Sequence, residues 1–487
     1  MRGLIESLKN QLFPIGADSK SPTAKSLESK TVSDRPLSMA ITNYAPGAEV
    51  VRDRMIHVAA GFVNYEHRNG KVFSSDPLGK EQTVSSCPEC STTAIDKPNV
   101  TVCPSCNSQM RVFSLYEPLG FRTTYMPRPY RIDQARSQTK SLPSFVSTGD
   151  EPQGEPVGAV DVRLYEQGKL LQYNDNRGRL FELVKTDDDD SVVAINSELY
   201  RRGWKGKPEN GKDLGKSAIG EIRTTDAMTV DFSRLATSGG FVPTAPHVVP
   251  AGEAALWSMA EVLRTAAKQQ LDIDPQEMQA GLQHRMANGV SSARVFLADS
   301  LENGAGYAAQ IAKPDVFGKL IKETRQALQE EFEGKSHRAC STSCPDCLRS
   351  WDNQRLHGVL DWRLALDVLD LSSGLELNLS RWFDRIDEVR SIAESLNSDI
   401  RVERVGEDGT PMILLDDARV GVLIGHPLWF RDRDNPLQQQ LATEQAAVAH
   451  VPEYRVYPSD FVEFGRKALP ILQAAVNGKS VALRQTV

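Results

Sequence analysis

Two cysteine pairs, Cys87-Pro-Glu-Cys90 and Cys103-Pro-Ser-Cys106, constrain this chain more than any other feature. Two residues between cysteines let both thiolates face one ion across a tight turn, and two such knuckles supply four sulfur donors. The CxxC-x12-CxxC spacing therefore predicts a structural Zn²⁺ site in a small ribbon over residues 84–109. Four protein donors leave no coordination position for a catalytic water. A zinc that only holds the ribbon together is preferred to one that touches nucleic acid. Neither pair opens the βαβ helix that a redox motif needs.

Three further cysteines, Cys340, Cys344 and Cys347, complete the seven and are spaced Cx3Cx2C. Three thiolates need a fourth ligand of another kind. His357 is the first choice and His337 the second, since both lie within chain reach and imidazole is an ordinary partner for thiolates. The plain alternative is three thiols without metal, which leaves reactive sulfur without purpose. A deaminase-type catalytic zinc needs an HxE motif at useful spacing, and none precedes the cluster. The expectation is two Zn²⁺ per chain.

Clustered cysteines fit a reducing compartment. No run reaches the ~18 apolar residues of a membrane span, and the start MRGLIESLKNQLFPIG lacks the apolar core of a signal peptide. The reading is cytoplasmic, with no membrane partner. A formal net charge of -7 argues against a generic nucleic-acid coat but leaves room for a local basic groove.

With 487 residues the chain exceeds one ordinary core. Residues 1–34 read as a flexible leader with one short helix at Met1–Leu12. Residues 35–126 read as a β-rich region carrying the ribbon, with a turn at Ala45-Pro46-Gly47. Residues 127–249 form a β-rich middle domain with loops. It holds a β-meander over 157–200 that turns at Asn174–Gly178, and a Gly/Lys-rich loop over 201–220. Helical periodicity over 250–372 marks a helical zinc domain, and 373–487 returns to α/β texture. The fold class is mixed α/β and multidomain.

The order of residues in the zinc domain carries a resemblance. Asp299-Ser-Leu-Glu-Asn-Gly-Ala-Gly-Tyr307 precedes Cys340-x3-Cys344-Pro-Asp-Cys347-Leu348, then Asp352-Asn353-Gln354, His357 and Leu360-Asp361. This resembles the MZB domain, the zinc-binding module of MrfA-type DNA helicases, also found in separate proteins encoded beside helicases in anti-phage systems. Arg35-Pro-Leu37, Tyr44-Ala-Pro-Gly47-Ala-Glu49-Val50, the inserted ribbon and His426-Pro-Leu-Trp429 extend it. Over that span the chain resembles the DrmB-like helicase-partner subunits of DISARM-type defence. The resemblance implies a superfamily 2 helicase partner (DrmA-like) that supplies the motor, and DNA as what the pair handles. Helicase-fused members often supply a fourth cysteine soon after the CxxC, and this chain has none there.

Motor motifs are absent. Gly206-Lys-Pro-Glu-Asn-Gly211-Lys212-Asp213 puts a carboxylate where a P-loop needs a Mg²⁺-binding hydroxyl. The chain is therefore read as an accessory subunit and not an enzyme. The segment FRTTYMPRPYRIDQAR interleaves Arg122, Arg128, Arg131 and Arg136 with Phe121, Tyr125 and Tyr130, a mixture that suits phosphates and bases as well as a solvated linker. Asp299 and Glu302 suit helix capping, and Gly304-Ala-Gly306 close packing beneath the zinc cluster. The run Asp187–Asp190 suits a solvated loop, and His426 suits packing with Trp429. The alternatives are a Mg²⁺-dependent nuclease over residues 400–430, with Glu403, Asp416 and Asp417 but without ExK spacing, and a purely structural scaffold.

Overall fold

A computed structural model describes residues 2–9, 28–68, 71–123, 128–129, 144–146, 151–186, 191–196, 211–235, 250–274, 276–287, 290–334, 337, 340–429 and 438–479. The fold is mixed α/β, and the chain separates into two units. One is built on Met1–Cys103, Asn107–Gly149 and Gln167–Thr225, the other on Pro104–Cys106, Asp150–Glu166 and Asp226–Val487.

The first unit is β-rich. Its strands include β1 (Met55–Phe62), β2 (Gln82–Ser86) and β3 (Arg111–Tyr116), then the later part of β4 (Val160–Asn174). β5 (Phe181–Lys185), β6 (Val192–Ala194) and the first part of β7 (Lys212–Asp231) follow. A helix, α1 (Leu37–Asn43), starts after Pro36. It places Leu37, Ile41 and nearby Tyr44 against Phe62, Phe121, Phe181 and Val192 in one buried core. A second core gathers Val84, Phe113, Leu115, Leu171 and Ala218. β2 and β3 pair antiparallel, with Val84 opposite Phe113, and this hairpin base carries the ribbon.

Three local expectations are corrected here. The helix expected at Met1–Leu12 is a strand, Arg2–Lys9, paired antiparallel with Glu28–Pro36; pairing with a neighbour outweighs local periodicity. The stretch after Arg35 begins with α1 before its strands, and Pro36, extended at ψ 144°, is its N-cap residue. The loop expected over 201–220 is strand from Lys212 onward. Gly215, at φ 80°, sits at the register shift where β7 pairs β5, so the glycine marks a β-bulge. Residues 201–210 and Asp187–Asp190 lie outside the described residues.

In the second unit a long hairpin joins β8 (Met278–Ala287) to β9 (Val290–Asp299), in register from Met278–Asp299 to Ala287–Val290. The end of β7 pairs β9, with Met228 opposite Leu297. α2 (Pro250–Leu271) packs on this hairpin and on α5 (Trp362–Ser372). α5 is buried on every face. Between them run the short α3 (Tyr307–Ile311) and the amphipathic α4 (Pro314–Phe332). The zinc domain expected to be helical thus includes a two-stranded hairpin.

A four-stranded sheet closes this unit. β10 (Arg401–Val405), β11 (Thr410–Leu415) and β12 (Val420–Gly425) run antiparallel, and β13 (Arg455–Asp460) joins β12 in parallel. Alternation along β11 sends Met412 and Leu414 to one face and Ile413 to the other. The short α6 (Ser380–Phe383) leads into α7 (Ile386–Leu396). α7 and α9 (Phe461–Val476) cover the Ile413 face through Val389, Ala393, Phe464 and Leu472. α8 (Gln438–His450) covers the other through Ala447. Among the described residues no helix is long and apolar enough to cross a membrane.

Candidate metal centres

The two ribbon knuckles are built alike. Cys87 N donates to Thr92 O at 2.9 Å and Ser91 N to Cys87 O at 3.0 Å. Cys103 N donates to Ser108 O at 2.8 Å and Asn107 N to Cys103 O at 3.0 Å. Ser91 (φ 58°) and Asn107 (φ 61°) both adopt the left-handed conformation that turns the chain back after the second cysteine. The sulfurs of Cys87, Cys90, Cys103 and Cys106 all lie within 4.8 Å of one another. Cys90 Sγ is 3.5 Å from Cys103 Sγ. A tetrahedral site with Zn–S of about 2.3 Å spaces its sulfurs by about 3.8 Å, so the donors fit zinc.

The second cluster joins His337, Cys340, Cys344 and Cys347, with ligand atoms again within 4.8 Å. His337 Nε2 is 3.0 Å from Cys344 Sγ. The imidazole rests edge-on against Phe332, and its Nδ1 lies 3.4 Å from Glu331 Oε1, the carboxylate that orients a ligating histidine from behind. Backbone turns set the sulfurs: Cys344 N donates to Cys347 Sγ at 3.0 Å and Cys347 N to Cys344 O at 3.1 Å. Trp362, stacked on Phe332 at 4.6 Å, donates from Nε1 to Cys340 O at 3.0 Å. Without an ion the thiols are mismatched. Burial pushes Cys347 up to about 12. Burial also acts on Cys344, yet the His337 hydrogen bond brings it below its ordinary value. A cation resolves the mismatch by holding all three as thiolates.

The choice of His357 as fourth ligand is corrected by this geometry. Its Nε2 lies 3.0 Å from both Ser350 O and Asn353 Oδ1, so the ring ties down the loop after the cysteines. Asn353 Oδ1 also accepts from Ser350 N, and its Nδ2 donates to Leu348 O. Asp352 receives Arg264 Nη1 of α2 at 2.5 Å, while Arg264 Nη2 reaches Glu261 Oε2 at 2.6 Å. Burial raises the Glu261 carboxyl against the pull of Arg264. The Asp-Asn-Gln run and the histidine after it therefore support the knuckle. The sequence analysis missed Glu261 and Arg264, which look there like interior residues of an ordinary helix.

Asp299 is fully buried and accepts from Ala305 N, Tyr307 N and Ala308 N, so it caps α3. Gly304 packs on the Asp226 carboxylate, 2.6 Å from where a Cβ would stand, not beneath the cysteines. His426 is 1% exposed; its Nδ1 accepts from Leu428 N and its Nε2 lies 3.2 Å from Asp367 Oδ2. Arg401 occupies the space between the carboxylates of the nuclease alternative, binding both oxygens of Asp416 and one of Glu403.

The basic segment yields less. Arg122 is 5% exposed within the strand Phe121–Thr123, so the expected phosphate contact is corrected: its guanidinium does not reach the surface. Arg128 lies on a two-residue strand whose side chain is outside the described residues, as are Arg131, Arg136, Tyr125 and Tyr130.

One comparison with known proteins takes in the second cluster. Residues 259–348 match the MrfA Zn-binding (MZB) domain. The chain is 24% identical over 379 residues to the Druantia protein DruE of Escherichia coli, which covers 71% of this chain. The chain spans about a fifth (20%) of that relative. Crystal structures of the helicase MrfA bound to DNA are similar over 76% and 63% of this chain. Those alignments cover 34% and 35% of MrfA, with TM-scores of 0.34 and 0.22 and identities of 10% and 12%.

Proposed function

Starting from a chain that carries an MZB domain, we propose a non-motor subunit that partners a superfamily 2 helicase and helps bind or process DNA in bacterial anti-phage defence of the DISARM-like kind. Each cluster holds one Zn²⁺, one on Cys87, Cys90, Cys103 and Cys106 and one on His337, Cys340, Cys344 and Cys347. A bound zinc supplies charge and a fixed tetrahedral geometry, not a Lewis-acid site, because every position is taken by protein.

The observation that carries this reading is the second cluster itself: four protein donors come together at the end of an MZB match, flanked by buttressing ion pairs. The similarity to DruE supports a place among such proteins. The DrmA-like partner follows from the resemblance in the sequence.

The test is co-purification with a helicase encoded beside the chain. The pair should differ from the helicase alone in ATP turnover on DNA or in DNA affinity. A pair indistinguishable from the helicase on both measures sinks the proposal.

A further inference from the structure

Three arginines of the second unit converge on two carboxylates. Asp231 Oδ2 accepts from Arg294 Nε at 2.8 Å and Arg285 Nη1 at 2.9 Å, with Arg163 Nη1 at 3.5 Å. Glu151 Oε1 faces the same three from the other side: Arg163 Nε at 3.2 Å, Arg285 Nη1 at 3.6 Å, and Arg294 Nη1. The site is graded from inside outward. Side-chain exposure is 2% for Arg294 and 6% for Asp231, then 15% for Arg163, 28% for Arg285 and 50% for Glu151. Gly154, three residues after Glu151, lies so close over Arg163 that a Cβ would stand 2.9 Å from its Cζ. Residues 151–154 thus form a strap across the cluster, with Glu151 as its plug.

The cluster carries one positive charge too many. Three guanidiniums face two carboxylates, and among the described residues the buried Arg294 Nη2 has no partner. Among the described residues Arg285 commits only Nη1, and its side chain is 28% exposed. Guanidinium forks match the paired oxygens of an oxyanion better than a single half-exposed carboxylate oxygen does. Glu151 is also the one member that can leave at small cost, because an ion pair half in water contributes little.

We infer that Arg163, Arg285 and Arg294 form a phosphate-binding site for the backbone of DNA, and that Glu151 occupies it until a phosphodiester displaces it. This rests on the DNA-handling reading above and adds a site to it, on residues that neither metal cluster uses. Arg294 and Asp231 hold the floor, while Arg163 and Arg285 supply the donors that Glu151 vacates.

The test uses the full zinc-loaded chain, fluorescence anisotropy with a labelled oligonucleotide of about 20 nucleotides, and Glu151→Gln with the double variant Arg163→Gln/Arg285→Gln. Glu151→Gln changes an exposed group and keeps the strap. It should tighten DNA binding about tenfold by removing a competing anion. The double variant should weaken binding at least as much and lower the salt slope by about 1–2. Affinity unmoved by Glu151→Gln overturns the site. So does inorganic phosphate that protects the chain in wild type, but not in the double variant, while DNA affinity is equal in both. Helicase co-purification is measured separately, so a lost partnership is distinguishable from a failed phosphate site.

Discussion

His337 and His357 show how the side-chain environment, and not reach along the chain, selects a ligand. Both histidines lie close to the cysteines in sequence, one before and one after. Only His337 is brought to the sulfurs, because Phe332, itself stacked on Trp362, packs against its ring and Glu331 stands behind it. His357 is spent on Ser350 O and Asn353. The cysteines themselves were legible, since CxxC spacing encodes a local turn that needs no knowledge of the fold. The fourth ligand was not, because the end of α4 and the start of α5 decide it, and no spacing rule joins them. His337→Ala should lower bound zinc from about two per chain to about one, with the ribbon ion retained. His357→Ala should keep both while loosening the loop. Elemental analysis of the purified variants decides between them, and the reverse pattern would restore His357 as the ligand.

At the scale of elements, α5 shows how one helix start serves several needs. Asp361 caps it by accepting from Arg363 N at 3.0 Å, and its carboxylate also takes Arg363 Nε and Nη2. Ser258 of α2 accepts from Asp361 N at 2.8 Å and donates to Ala254 O, which ties the two helices together. Arg363 in turn lies 4.3 Å over the Trp382 ring. Asp361→Ala removes the cap and leaves a guanidinium at 6% exposure without its carboxylate. Breaking a buried pair from one side costs about 3–5 kcal/mol. Urea denaturation should show a loss of that size, and a loss below about 1 kcal/mol would mean that Arg363 finds another partner. The start of α5 was readable because Asp before an apolar run is a capping signal. Arg2–Lys9 was not, since its strand character comes from Glu28–Pro36 and Phe121, partners that local periodicity cannot see. The β8–β9 hairpin hid for a similar reason: only its Val295–Leu297 core is continuously apolar enough to read as a strand.

Across the whole molecule, stability against pH follows from buried charges whose folded values lie below the ordinary ones, one because its partners win over burial and one because burial wins. Asp367 is fully buried; despite that desolvation, His426 and Arg381 hold its carboxyl below the ordinary value. Its contribution is present above about pH 4 and fades as pH falls through the lower folded value. Lys268 at the end of α2 is displaced downward too, but as a cost and not a contribution. Burial, with the Arg264 guanidinium adding to it, lowers its ammonium from 10.5 to about 8. Between those two values the unfolded chain holds a proton that the folded chain has released. The unfolded state therefore binds more protons, and stability rises with pH across that window. Below about pH 8 the folded protein carries the full cost of a desolvated ammonium. Lys268→Met keeps the length of the stem and removes the charge. It should stabilise the chain at pH 7 by about 1–2 kcal/mol, after discounting for water that reaches the ammonium. The advantage should shrink steadily from pH 8 to 10. The difference between wild type and variant is the quantity to measure, because the buried tyrosines, whose raised values act above about pH 10, are common to both and cancel. A difference that stays flat across that range would show that Lys268 keeps its proton in the folded protein, held by Asp352 and Glu261.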